Sequence, residues 1–136
     1  MVNKVVSEVV SEVVLDASAV LALLKREPGA ERVRTVLDRA AIGAVNAAEV
    51  QSKLVDLGLS RDAAAARIRF LGCLIVSFSE DQAIEAGSLI AQTRSLGLSL
   101  GDRACLALAL DRKATVYTAD RLWMNLSLGI PIEVIR

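Results

Sequence analysis

Asp16, Glu49, Asp102 and Asp120 are the residues of this 136-residue chain whose types and settings could do chemistry. Each stands at the end of an apolar segment or in the first turn of a helix. Brought together, four carboxylates repel one another and raise their own pKa values unless a cation neutralises them. Arg103 or Arg121 could supply part of that charge, but neither can satisfy four acids. The chain has no His, and Cys73 and Cys105 are far apart and outside any CxxC spacing. An oxygen-rich set without imidazole or thiolate suits Mg²⁺ or Mn²⁺, which take few carboxylates directly and keep waters able to attack a phosphate. Lack of His also excludes Ser-His-Asp and Cys-His nucleophile systems, His-ligated zinc, and imidazole acid–base cleavage of RNA.

Each acid also has a plainer role open to it. Asp16 can cap the helix near Ser18, Glu49 can sit at the third position after a capping Asn46, and Asp120 can cap the turn before Trp123. Ser99 and Asp102 stand in the S-x-x-D spacing of a capping box, at the positive end of a helix dipole. The catalytic reading therefore depends on whether the elements carry all four acids to one place.

Val-rich residues 9–15 predict a first strand ending at Asp16, although Val5, Val6, Val9, Val10, Val13 and Val14 also recur at helical spacing. Residues 1–8, with their repeated VVSE, extend that strand, fray, or pack on a neighbouring molecule. Helices are expected from Ser18 to about Arg26 and, opened by Pro28 and Gly29, to about Ala40. A short strand at 41–45 leads to a helix capped by Asn46 and closed by Gly58. Ser60 caps an Ala-rich helix, 74–78 is a strand, and Ser79 with Gln82 opens a helix to about Leu96. The helix headed by Ser99 follows. Strands at 115–118 and 132–135 flank a short helix from Asp120 to about Leu126. Apolar strands alternating with helices imply a parallel sheet covered on both faces, whose ligand site lies past the carboxyl ends of the strands. All four acids then belong on one edge.

Composition bounds the rest. The chain is 54% hydrophobic and has no composition shift, so one domain spanning 1–136 with a substantial core is expected. Aromatics are too few to form a base-stacking platform of the single-strand binders. Lys and Arg total 16 against 16 Asp and Glu, which argues against a globally cationic nucleic-acid binder, yet twelve of the cations are Arg and could form a local stripe facing phosphate. The cysteines read as buried hydrophobes of a reducing cytoplasm, and no apolar run is long enough for a bilayer.

The segments VVLDASAVLALL, NAAEV, LSLGDRACLALAL and YTADRLW, in that order and spacing, resemble the PIN-domain ribonucleases, and within them the VapC-like toxins of bacterial toxin–antitoxin pairs. The resemblance runs from about residue 12 to the C-terminus. It implies a three-layer α/β/α fold with a five-stranded parallel sheet, Mg²⁺- or Mn²⁺-dependent endonucleolytic cleavage of RNA, a homodimer, and inhibition by a cognate antitoxin. Asp16, Glu49, Asp102 and Asp120 match the family's four acids, while Ser18 and Thr118 match polar positions that support metal or phosphate. The VVSE copies preceding the first acid depart from the family pattern. A response-regulator receiver would need paired acids after strand one, and a haloacid-dehalogenase-type phosphatase would need D-x-D where this chain has DAS. The remaining alternative is a non-catalytic PIN-like module whose acids serve as caps while it binds RNA or a partner.

Overall fold

The computed structural model describes residues 13–136, so the VVSE copies and the start of the expected 9–15 strand lie outside the described residues. Five strands form one parallel sheet: β1 (Val13–Leu15), β2 (Ala40–Gly43), β3 (Leu74–Val76), β4 (Thr115–Thr118) and β5 (Ile132–Val134), in the order β3-β2-β1-β4-β5. β1 is central because it is apolar at every position. Val13 and Leu15 enter the core on one face and Val14 enters the core on the other, as the two-residue period of a strand requires.

On the first face pack α1 (Ala17–Leu24), α2 (Ala30–Arg34), α3 (Ala44–Asp56) and α4 (Arg61–Phe70), through Val20, Leu23, Val33, Val50, Leu54 and Ile68. On the second pack α5 (Glu80–Ser88) and α7 (Leu100–Arg112), with Trp123 and Val116, and the short α6 (Ile90–Thr93) follows α5. The result is the three-layer α/β/α arrangement expected from the sequence. Every residue of α7 from Ala104 to Ala109 is buried, so this helix belongs to the interior and its polar head sits at the sheet edge. Among the described residues no helix is long and apolar enough to cross a membrane.

Several boundaries move, each for a local reason. The helix expected to reach Ala40 stops at Arg34: Thr35 keeps helical angles as its cap, β-branched Val36 leaves them, and a 3-10 turn at Leu37–Arg39 leads into β2. The strand expected at 41–45 begins and ends earlier, so α3 starts at Ala44 and its N-cap is Gly43, which makes no side-chain cap bond. Asn46 is therefore inside the helix and is not its cap, and Glu49 stands in the second turn. The helix expected to reach Leu96 is broken into α5, α6 and a 3-10 turn at Arg94–Leu96. The Ser88 and Thr93 hydroxyls donate to the carbonyls of Ile84 (2.7 Å) and Leu89 (2.9 Å), a back-bonding that bends helices. Asp120 heads a 3-10 turn, Arg121–Asn125.

Candidate active site

The strand order reverses between β1 and β4, and Asp16 lies just past the carboxyl end of β1. Its side chain is 4% exposed and fully engaged. Oδ1 accepts from the Ala19 backbone N–H (2.8 Å) and the Ser18 hydroxyl (2.7 Å), while Oδ2 accepts from the Thr118 hydroxyl (2.6 Å). Asp16 thus caps α1 and ties it to β4. Burial still dominates: it lifts the Asp16 carboxyl to about 6, against the lowering effect of the bonds from Thr118, Ser18 and Ala19, and the charge of Asp102 adds to the rise. Ser18 in turn accepts from the Ala119 N–H (2.8 Å), and Thr118 accepts from the Asp120 N–H (3.0 Å). Two hydroxyls therefore link the segments that carry Asp16 and Asp120.

Glu49 comes from α3. Its Oε1 accepts from the Asn46 side-chain amide at 2.8 Å, and the carboxylate presses on Gly101 of α7, where a Cβ would stand 2.7 Å from Glu49 Cδ. Asp102 closes the capping box of α7: its Oδ2 accepts from the Ser99 N–H (3.0 Å), and its own N–H donates to Ser99 Oγ (3.2 Å). Asp120 caps its turn through Oδ1, which accepts from the Leu122 N–H at 3.0 Å. The capping readings hold for Asp16, Asp102 and Asp120, and in the latter two the cap uses one carboxylate oxygen. Buried Cys105 senses the same convergence, for its thiol is raised well above its ordinary value by burial and then by the charges of Asp16, Asp102 and Glu49.

All four acids line one cleft of about 640 Å³, together with Ser18, Leu21, Ser52, Lys53 and Asp56. Capping and convergence are therefore compatible. Arg103 and Arg121 are not among the lining residues. Arg103 donates to the Ala86 carbonyl at 3.0 Å, and Arg121 Nε donates to the Arg136 carbonyl at 3.1 Å. Lys53 is the only cation among the described residues that line the cleft. Sequence reasoning passed over Ser52, Lys53 and Asp56, although their offsets of three, four and seven from Glu49 put all three on its helix face. It also passed over Gly101, whose need for closeness is a tertiary matter.

The donor set fits a hard divalent cation: five carboxylates, the four acids and Asp56, and the hydroxyls of Ser18 and Ser52, with neither His nor Cys lining the cleft. Among the described residues no three acids already surround a common point closely enough to cage an ion. Mg²⁺ is commonly held through one or two carboxylates and retained waters.

A family model described as the PIN domain matches residues 13–126. No curated protein matches the chain in sequence. Among solved structures, DNA-bound VapBC from Salmonella typhimurium is 20% identical with a TM-score of 0.69, covering 90% of this chain and 97% of that one. VapBC2 from Rickettsia felis, bound to a promoter DNA fragment, is 19% identical with a TM-score of 0.68, covering 89% and 96%. A toxin–antitoxin complex from Klebsiella pneumoniae is 18% identical with a TM-score of 0.67, covering 87% and 94%. These likenesses establish a shared fold over almost the whole described chain. Because the family model extends from the central buried strand to beyond Asp120, this chain belongs to the PIN domain family.

Proposed function

We propose that the protein is a divalent-metal-dependent endoribonuclease, the toxin of a toxin–antitoxin pair. The observation that supports this best is the meeting of Asp16, Glu49, Asp102 and Asp120 in one cleft, although they come from four separate segments. In this reading these four hold Mg²⁺ or Mn²⁺, with Ser18 and Thr118 fixing Asp16 and supporting the phosphate. When bound, the cation supplies Lewis acidity toward the phosphate and lowers the pKa of water beside it. Binding positive charge also turns the penalty of burying Asp16 near Asp102 into attraction. Lys53 sets a cation at the same cleft, placed to meet a phosphate of the RNA.

No imidazole is present to take the proton of a 2′-hydroxyl. Water is therefore the nucleophile, the P–O3′ bond breaks, and the products carry 5′-phosphate and 3′-hydroxyl ends. The toxin assignment is supported by the fold likeness to VapBC structures and by exposed Leu122 and Met124 beside Asp120. An antitoxin segment covering them could send an Arg or Lys into the acidic cleft. Self-association as a homodimer is supported by exposed Phe70, Leu74, Ile75 and Phe78 around the edge strand β3.

The test is purified protein, freed of any partner, on structured RNAs with Mg²⁺, Mn²⁺ or EDTA. Cleavage in either metal, its loss in EDTA, and 5′-phosphate products are expected. Full activity in EDTA or 2′,3′-cyclic phosphate ends would refute the mechanism. Binding of RNA without cleavage in any metal would favour the non-catalytic module.

A further inference from the structure

Asn46 is 1% exposed, and its place in α3 is not explained by helix formation. It is not the N-cap, which is Gly43, and asparagine is a weak helix former in the positions that follow a cap. Its Nδ2 instead donates twice, to Glu49 Oε1 at 2.8 Å and to the Gly101 carbonyl at 3.0 Å. That exhausts the two hydrogens of the amide. The opposite orientation of the amide would set its oxygen against a carboxylate oxygen and a carbonyl oxygen, so the chemistry of the partners fixes the orientation. As a consequence, Asn46 Oδ1 is buried with no hydrogen-bond partner among the described residues, packed 3.4 Å from where a Cβ on Gly43 would stand.

An unpaired buried carbonyl is a cost to folding that an apolar side chain of similar size would avoid. Gly101 carries a second cost, since glycine inside a helix is less stable than alanine. Yet a Cβ at Gly101 would stand 2.7 Å from Glu49 Cδ and 2.8 Å from Oε1, too close for the carboxylate to remain where it is. Two positions on two helices thus each forgo stability, and the Glu49 carboxylate accounts for both. Gly101 is also the residue directly before Asp102, so whatever fixes Glu49 on Gly101 fixes it relative to Asp102.

We propose that Asn46 is a positioning residue which, with Gly101, clamps the Glu49 carboxylate onto the head of α7 and so holds Glu49 and Asp102 as a pair. The inference rests on the reading of the cleft as a divalent-cation site. Asn46 itself does not touch the substrate or the ion. Its effect passes through Glu49, and residues that orient ligands in this way change metal affinity by about 10- to 100-fold when replaced.

The test uses the full chain, with Mn²⁺ titrated calorimetrically and the melting temperature taken in EDTA. Asn46→Leu, which removes both donors at similar volume, is expected to lose about 10- to 100-fold in Mn²⁺ affinity while remaining folded in EDTA. Asn46→Thr, which keeps one donor, should fall between the two. Gly101→Ala should also weaken Mn²⁺ binding, and the double variant Asn46→Leu/Gly101→Ala should be little weaker than the worse single one, because both act on one carboxylate. Should Asn46→Leu fail to fold, Gly101→Ala tests the clamp from the other helix. Mn²⁺ affinity within twofold of wild type in both single variants would overturn the inference alone. Absence of Mn²⁺ binding by the wild type would overturn the reading of the cleft, and the clamp with it.

Discussion

Asp16 accepts three hydrogen bonds and is still raised to about 6, because burial at 4% exposure outweighs them and Asp102 adds repulsion. Its folded value lies above the unfolded value near 3.8, so the protonated form is the one the fold prefers. Stability from this group is complete below about pH 4 and is lost as pH rises through about 6, a change of roughly 3 kcal/mol over the window. Denaturant unfolding of metal-free wild type and Asp16→Asn across that range should show the difference between them growing in favour of the variant as pH rises. A difference that stays constant would mean that Asp16 is not strained when charged. The acids themselves were legible in the sequence because Asp16 ends an apolar run and Asp102 heads one, with Glu49 and Asp120 beside helix starts. The raised value was not, since it depends on how deeply α1 and β4 bury the carboxyl.

Asp102 shows at the scale of the element how one carboxylate serves two ends. Oδ2 closes the capping box with Ser99 while the residue lines the cleft. Asp102→Asn keeps an oxygen for the cap and deletes the charge, so its melting temperature in EDTA should not fall, whereas Mg²⁺ should raise it far less than the wild type. Ser99→Ala should do the reverse, losing about 1 kcal/mol with the cap and keeping the response to Mg²⁺. Melting curves of the three proteins with and without Mg²⁺ decide between these outcomes. If Asp102→Asn melts lower in EDTA and responds to Mg²⁺ like the wild type, Asp102 is only a cap. Ser60, Ser79 and Ser99 head their helices as the sequence indicated, because a cap is a contact three residues long. The start of α3 and the break between α5 and α6 were not legible. Gly43 offers no capping side chain, and the Ser88 and Thr93 back-bonds compete with a helical pattern that otherwise continues.

For the whole molecule, the balance of 16 cations and 16 acids partly resolves into surface pairs: Arg32 with Glu133, Arg34 with Glu31, and Arg136 with Glu27. Exposed pairs of this kind contribute little stability, and they leave the acidic cleft as the feature with a clear partner chemistry. The parallel sheet was legible from alternating apolar strands and helices. Exposure of Leu74 and Ile75 was not, because nothing in a strand's own residues says that it will stand at an edge. Sedimentation of the purified chain should show a dimer that Leu74→Lys or Ile75→Lys weakens, and a monomer at all concentrations would remove the homodimer from the account. Co-expression with the product of a neighbouring reading frame should yield a complex with reduced cleavage; free protein of unchanged activity would remove the antitoxin.

Cleavage of a structured RNA by the wild type and by four amide variants in Mn²⁺ tests the central claim most directly. Asp16→Asn, Glu49→Gln, Asp102→Asn and Asp120→Asn each delete one charge from the cleft with little change of shape. The account predicts that the wild type cuts and that each variant loses at least about 10²-fold in rate, as expected for a charge that stabilises the transition state, while all remain folded. Wild-type rates in folded variants of all four acids would contradict it.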